Sequence, residues 1–269
     1  MEWLQHEFMQ RALLSGIMIG ILCPTIGIFV VLRRMSLIGD SLSHVALSGV
    51  AIGIITGASP TVMALLVSAI AALGIEGLRK KYEKYAELSI AIILSTGLGL
   101  AVVLISLAKS INIDIFGYLF GNITTVLPND LRLIVLLGIA IILFIMITYR
   151  QLFYIAFDEV GAKVSGVPVR HLNLIFMIVV AVTITLSMRV VGVLLVSSLM
   201  VIPVATSIQI AKSFKKAMIL AVIFAQISVI SGIIISYYLE LASGGTIVLV
   251  SVLLLLIVLG SKKLERWKA

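Results

Sequence analysis

Nine long apolar stretches recur along the chain, separated by short polar or charged segments. They cover roughly residues 12–32, 36–57, 60–78, 88–108, 131–149, 172–188, 190–210, 217–239 and 246–260. A helix needs about 20 predominantly apolar residues to cross the hydrocarbon core of a bilayer. The last stretch is short, and only Arg189 separates the sixth from the seventh, so eight spans is the alternative count. Within each stretch the apolar residues run on continuously. Barrel strands would instead alternate every second residue. The pattern predicts an all-α integral membrane protein, a polytopic helical bundle of nine or eight transmembrane helices in a single domain covering 1–269.

Composition points the same way. The 269 residues are 61% hydrophobic and 12% charged, whereas a soluble domain is about 25% charged. The mean hydropathy is +1.25. A net charge of +8 on a soluble chain would suggest nucleic acid. Here the cations sit in short loops between spans, and orientation explains them better. With the N-terminus outside, 16 of the 20 lysines and arginines fall on the inner side, leaving Arg11, Lys109, Arg132 and Arg189 outside. That split predicts N-out, C-in, in the cell (inner or plasma) membrane, with the lipid bilayer as surroundings and no nucleic acid as partner. A single cysteine, Cys23, excludes an internal disulfide. The start MEWLQHEFMQ lacks the basic region and cleavage site of a secretory signal, so the first span is expected to remain.

The second stretch carries the unusual chemistry, in RRMSLIGDSLSHVALSGVAIG. At the helical period of about 100° per residue, Ser36, Asp40, Ser43 and His44 fall on one side. Gly49, Gly53 and Gly57 fall on the other, the arrangement of close small-residue helix packing. Asp40 and His44 are four apart, which brings their Cβ atoms within about 5–6 Å. A carboxylate oxygen and an imidazole nitrogen so placed can both reach one divalent ion at about 2.0–2.2 Å. The ligand types suit manganese, zinc or iron. Two ligands make a weak site, and a transport site has to release its ion. The residues alone leave a second reading open: a carboxylate in the first turn of a helix, where the macrodipole favours it, beside a hydrogen-bonded core histidine.

Two connections are longer than a turn: 109–130 on the outer side and 150–171 on the inner side. The inner one contains FDEVGAKVSGVPVRHLN. Asp158 is a preferred N-cap for a short helix over about 159–165. Gly166 suits its close, and Pro168 stops it. Such a helix either docks a cytosolic partner or is a solvated connector, and local evidence leaves both open. No P-loop pattern, zinc-protease motif or nucleophile elbow is present. The chain therefore has no ATPase of its own, and apart from Asp40 and His44 the spans hold almost no convergent polar groups of the kind an enzyme needs.

The ordered set VLRRMSLIGDSLSHVALSGVAIG, LFGNI (119–123), FDEVGAKVSGVPV, VVGVLLVSSLMVIPVATS (190–207) and SYYLELASGGTIVLV (236–250) resembles the permease subunits of manganese/zinc/iron-type ABC importers. The resemblance covers most of residues 12–260. It implies an all-helical homodimer that works with a cytosolic ATP-binding subunit and an extracytoplasmic metal-binding protein. It assigns metal handling to Asp40 and His44, and ATPase coupling to the segment with Asp158, Glu159, Gly161, Gly166 and Pro168. The family often shows D-A-x-S-H-A where this chain has Ser41 and Val45, a departure that keeps both ligands. The function implied is passage of a divalent metal as transported substrate, with no permanently bound cofactor. The alternative is a proton-coupled secondary metal transporter. Among lesser candidates, Cys23-Pro24 and Pro203 mark bends. His6 and Glu240 lie on the outer side, and His171 sits at an inner boundary.

Overall fold

Each predicted stretch forms a helix. The computed structural model describes residues 7–82, 86–107, 115–122 and 127–268. His6, and residues 109–114 and 123–126 of the outer connection, lie outside the described residues. The helices are α1 (Glu7–Leu32), α2 (Ile38–Thr56), α3 (Pro60–Lys81), α4 (Ala86–Leu107), α5 (Ile115–Phe120), α6 (Pro128–Phe157), α7 (Glu159–Val164), α8 (Val169–Val191), α9 (Val196–Ile210), α10 (Phe214–Leu239) and α11 (Ser243–Lys268). Among the described residues there is no strand.

Among the described residues, eight helices (α1, α2, α3, α4, α6, α8, α10 and α11) are long and apolar enough to cross a bilayer alone. The seventh predicted stretch is α9, which has only 15 residues. At about 1.5 Å per residue it reaches about 22 Å, short of a hydrocarbon core of about 30 Å. It still returns the chain to the inner side. Near its C-terminal end the carbonyl of Gln209 accepts a hydrogen bond from Lys262 Nζ of α11. Just beyond it, Phe214 packs on Phe29 of α1 and on Phe153 and Phe157 of α6, with centroids 4.9–6.3 Å apart. An odd number of passes is what N-out, C-in requires, and α9 supplies the odd one. The break before it falls at 192–195 rather than at Arg189, which stays in the last turn of α8. Two further boundaries differ from the apolar windows. Helix α6 continues through Arg150 to Phe157, and α11 runs on to Lys268. Helical hydrogen bonding does not stop where hydrocarbon ends, so long helices continue past their apolar windows.

Helices α1, α2 and α8 are the most buried. Outer helices present Ile70, Val102, Met146, Ile147 and Leu249, the apolar surface a bilayer demands. Helix α2 lies between α3 and α4 and also touches α8 and α9. A Cβ on Gly49 or Gly53 would sit 2.7 Å from the Cα of Ala64 or Pro60. Those two glycines are thus the α2–α3 contact. Gly57 lies past the end of α2, where a Cβ would have no neighbour within 4 Å.

Candidate functional site

A tight turn between α1 and α2 places Asp40. The Arg34 amide bonds the Val31 carbonyl and the Met35 amide bonds the Val30 carbonyl, each at 3.0 Å. Arg34 takes the left-handed conformation, φ 57°, that closes a helix in this paired way. Met35 is buried beneath the turn. The Ile38 amide bonds back to the Met35 carbonyl at 2.9 Å, and α2 begins there. Asp40 sits in its first turn, where unpaired amides favour a carboxylate.

Asp40 and His44 are partly exposed, while Gly39, Ser41, Leu42, Ser43 and Val45 around them are buried. The exposed stripe is narrower than the sequence predicts. Ser43 faces inward, and Ser36 precedes the helix. Asp40 Oδ1 accepts a short hydrogen bond from Ser197 Oγ in the first turn of α9. The two helices meet closely here, since a Cβ on Gly39 would lie 2.8 Å from Ser197 Cβ. One turn on, His44 Nδ1 is buried with no hydrogen-bond partner. A core histidine satisfied by Asp40 or a serine through that nitrogen is therefore not what is built. The arrangement sets an anchored carboxylate and an imidazole, both partly exposed, one turn apart on α2. Among the described residues no group of three or more His, Cys, Asp or Glu is gathered, so within one chain Asp40 and His44 stand here as a pair. Cys23 is not among them. It is buried, with Sγ 3.2 Å from Ser187 Oγ.

The outer side is closed by backbone. The amides of Val193 and Leu194 bond the carbonyls of Tyr118 and Leu119 at 2.9 and 3.2 Å. Helix α5 is thereby fastened onto the break between α8 and α9. Beside it Asp130 Oδ1 accepts from Thr61 Oγ1 at 3.1 Å, and Arg189 donates to the same hydroxyl at 3.2 Å. The Arg189 guanidinium lies 4.7 Å from the Tyr118 ring centroid. Glu240 borders an outer groove of about 540 Å3, with Phe8, Phe116, Phe120 and Tyr237.

On the inner side the sequence reading of 158–168 is close to the structure. Asp158 Oδ1 accepts from the Gly161 amide at 2.8 Å and caps α7. The Gly166 amide bonds the Lys163 carbonyl and the Val167 amide bonds the Ala162 carbonyl, with Gly166 at φ 81°. Only glycine takes that conformation without cost. Pro168 precedes the first residue of α8. Ala162 packs with Ile155, Val169 and Leu172, which clamps α7 between α6 and α8. Val160 and Val164 point away, 75% and 84% exposed. His171 is exposed and lines an inner groove of about 890 Å3 with Arg79, Lys80, Lys163 and Arg170.

Sequence reasoning missed a polar cluster behind α7. Glu159 Oε1 accepts from Asn173 Nδ2 at 3.1 Å and lies 3.6 Å from Arg79 Nη2. Asn173 Oδ1 accepts a short hydrogen bond from Arg33. Arg79 Nε lies 3.2 Å from Glu76 Oε2, and Glu76 is 1% exposed. Burial first, and then the nearby Arg79, pull the Arg33 pKa down to about 10, against the opposing pull of Glu159 and Glu76. It is still a cation at neutral pH. The available signal was Glu76 itself, an acid in the apolar run of α3 three residues before Arg79. Ser197 gave no such signal, since serine is common in apolar helices.

Residues 5–262 match the model of the ABC 3 transport family. The chain is 36% identical over 263 residues to a "Probable metal transport system membrane protein" of Treponema pallidum, covering 98% of each chain. It is 34% identical over 254 residues to the "Manganese transport system membrane protein MntC" of Listeria innocua, covering 94% of this chain and 90% of that one. The solved structure "PsaBC from Streptococcus pneumoniae in complex with Fab" superposes with a TM-score of 0.85 at 34% identity, over 96% of this chain and 93% of that chain. A match on this scale, in sequence and in fold, settles the family: the chain belongs to the ABC 3 transport family, as a multi-pass permease of the cell membrane.

Proposed function

We propose that this chain is the membrane permease of an ATP-driven importer of a divalent transition metal, with manganese the favoured cargo and Asp40 and His44 the ligands the ion meets. The observation that carries the reading is the partly exposed step on α2 that bears Asp40 and, one turn on, His44. Turned toward lipid, ionisable groups within a span are costly and are found facing a partner or a cavity instead. A second copy of the chain on the same face covers them. It also brings two carboxylates and two imidazoles to one ion, a set suited to a tetrahedral or partly hydrated octahedral ion. The homodimer is part of the proposal. Ligand type alone admits manganese, zinc or iron, and manganese is favoured by the names of the relatives.

Coupling fits the same picture. Helix α7 is held rigidly from behind and presents Val160 and Val164 outward, a surface for a cytosolic ATP-binding subunit. The aromatic outer groove beside Glu240 suits an extracytoplasmic metal-binding protein. The test is manganese uptake by proteoliposomes holding the complete transporter. Asp40→Ala and His44→Ala are each expected to abolish uptake while the ATP-binding subunit still co-purifies. Wild-type uptake in both variants refutes the site. Uptake by the chain without the ATP-binding subunit, driven by a pH gradient, would support proton-coupled secondary transport instead.

A further inference from the structure

We infer that Glu159, Asn173, Arg33, Arg79 and Glu76 form a polar tie, buried at Asn173 and Glu76, that carries the movement of α7 to the α1–α2 turn, and so to Asp40. The inference rests on the functional reading above and adds the residues that link its two ends.

The apolar contacts of α7 lead to α6 and α8, through Ala162, Ile155, Val169 and Leu172. Contact with α3 runs through Glu159, whose Oε1 is shared between Asn173 and Arg79. One oxygen making both contacts means that a small shift of α7 weakens both together. Asn173, 1% exposed, uses both ends of its amide. Its Nδ2 holds Glu159 and its Oδ1 holds Arg33. Arg79 is anchored in turn by the buried Glu76, and its Nη1 lies 3.6 Å from Met35 Sδ. Arg33 and Met35 are both in the α1–α2 turn. The Arg33 guanidinium also rests 5.2 Å from the Phe176 ring centroid of α8.

From Arg33 onward the chain offers little slack. The left-handed Arg34, the buried Met35 and the first hydrogen bonds of α2 define every step to Asp40. Asn173 and Glu76, each 1% exposed, have no water to replace a lost partner, while Glu159 at the α7 end is 47% exposed. The cluster therefore holds one arrangement or moves to another as a unit, which is the property a coupling element needs.

The experiment uses the complete transporter in proteoliposomes and measures manganese transported per ATP hydrolysed. Asn173→Asp keeps the acceptor for Arg33 but sets two carboxylates against each other at Glu159. The ratio is expected to fall by about tenfold, within the range of couplings carried by such networks. In Asn173→Asp/Glu159→Gln the amide and carboxylate exchange places, the hydrogen bond re-forms with reversed polarity, and most of the ratio returns. A wild-type ratio in Asn173→Asp overturns the inference, as does a double variant no better than the single. Loss of the ATP-binding subunit from purified Asn173→Asp also overturns it, because Glu159 would then act in docking. Asp40→Ala, run alongside, separates the two readings. If it abolishes uptake while Asn173→Asp keeps the wild-type ratio, the metal site stands and the tie alone fails.

Discussion

Ser197 is the residue whose replacement reports most directly on the proposed metal site. Its hydroxyl donates to Asp40 Oδ1, fixing one carboxylate oxygen and the plane in which the other is offered to an ion. Ser197→Ala removes a single oxygen from a residue that is 9% exposed, so packing between α2 and α9 is preserved. A hydrogen bond to a charged group contributes about 1.5–3 kcal/mol. Asp40 is partly exposed, and water recovers part of that. About 1.4 kcal/mol remains, which is about tenfold in an equilibrium constant. Partners of this kind typically change metal affinity by about 10–100-fold, and the lower end is expected here. The assay is direct manganese binding to the purified permease in detergent, beside wild type and His44→Ala. Ser197→Ala is expected to raise Kd about tenfold, and His44→Ala to remove saturable binding. If Ser197→Ala binds as tightly as wild type while His44→Ala does not bind, the orienting role is wrong. If all three bind alike, the site itself is wrong.

What the sequence revealed followed the range of the forces involved. Bilayer thickness fixes span length, so nine apolar runs could be recognised from a one-dimensional pattern. Asp40 and His44 stood out because four residues is one helical turn. The cap and close of α7 were legible because Asp158, Gly166 and Pro168 act on their immediate neighbours. Partners far along the chain were not. Ser197 is 157 residues from Asp40, and Arg33 is 140 residues from Asn173. The break at 192–195 was hidden for the same reason. Residues 190–210 read as one apolar run, and what interrupts the helix is the backbone of 118–119 taking the amides of Val193 and Leu194.

Two further outcomes follow. Val160→Asp and Val164→Asp place a carboxylate on the outward face of α7 without touching its cap or its apolar underside. Each is expected to lower recovery of the ATP-binding subunit in co-purification and to leave manganese binding by the permease unchanged; undiminished recovery would remove α7 from the docking surface. Gly192→Ala is expected to destabilise the outer closure severely. Gly192 has φ 89° and ψ 152°, a region essentially restricted to glycine, where another residue costs about 1–3 kcal/mol. A Cβ there would lie 2.5 Å from the nitrogen of Gly121, the oxygen of Leu119 and the carbonyl carbon of Phe120. All three are backbone atoms, and no side-chain rotation relieves the overlap. Relief requires α5 to separate from the α8–α9 break, losing the bonds from Val193 and Leu194. Leaving those groups unpaired in an apolar layer costs about 1–3 kcal/mol each. The sum reaches several kcal/mol, comparable with the whole stability of many domains. Thermal unfolding in detergent measures it, with Gly245→Ala as the control, since a Cβ at Gly245 meets nothing within 4 Å. A Tm for Gly192→Ala equal to that of the control would show that the contact between α5 and the break is not holding the outer side closed.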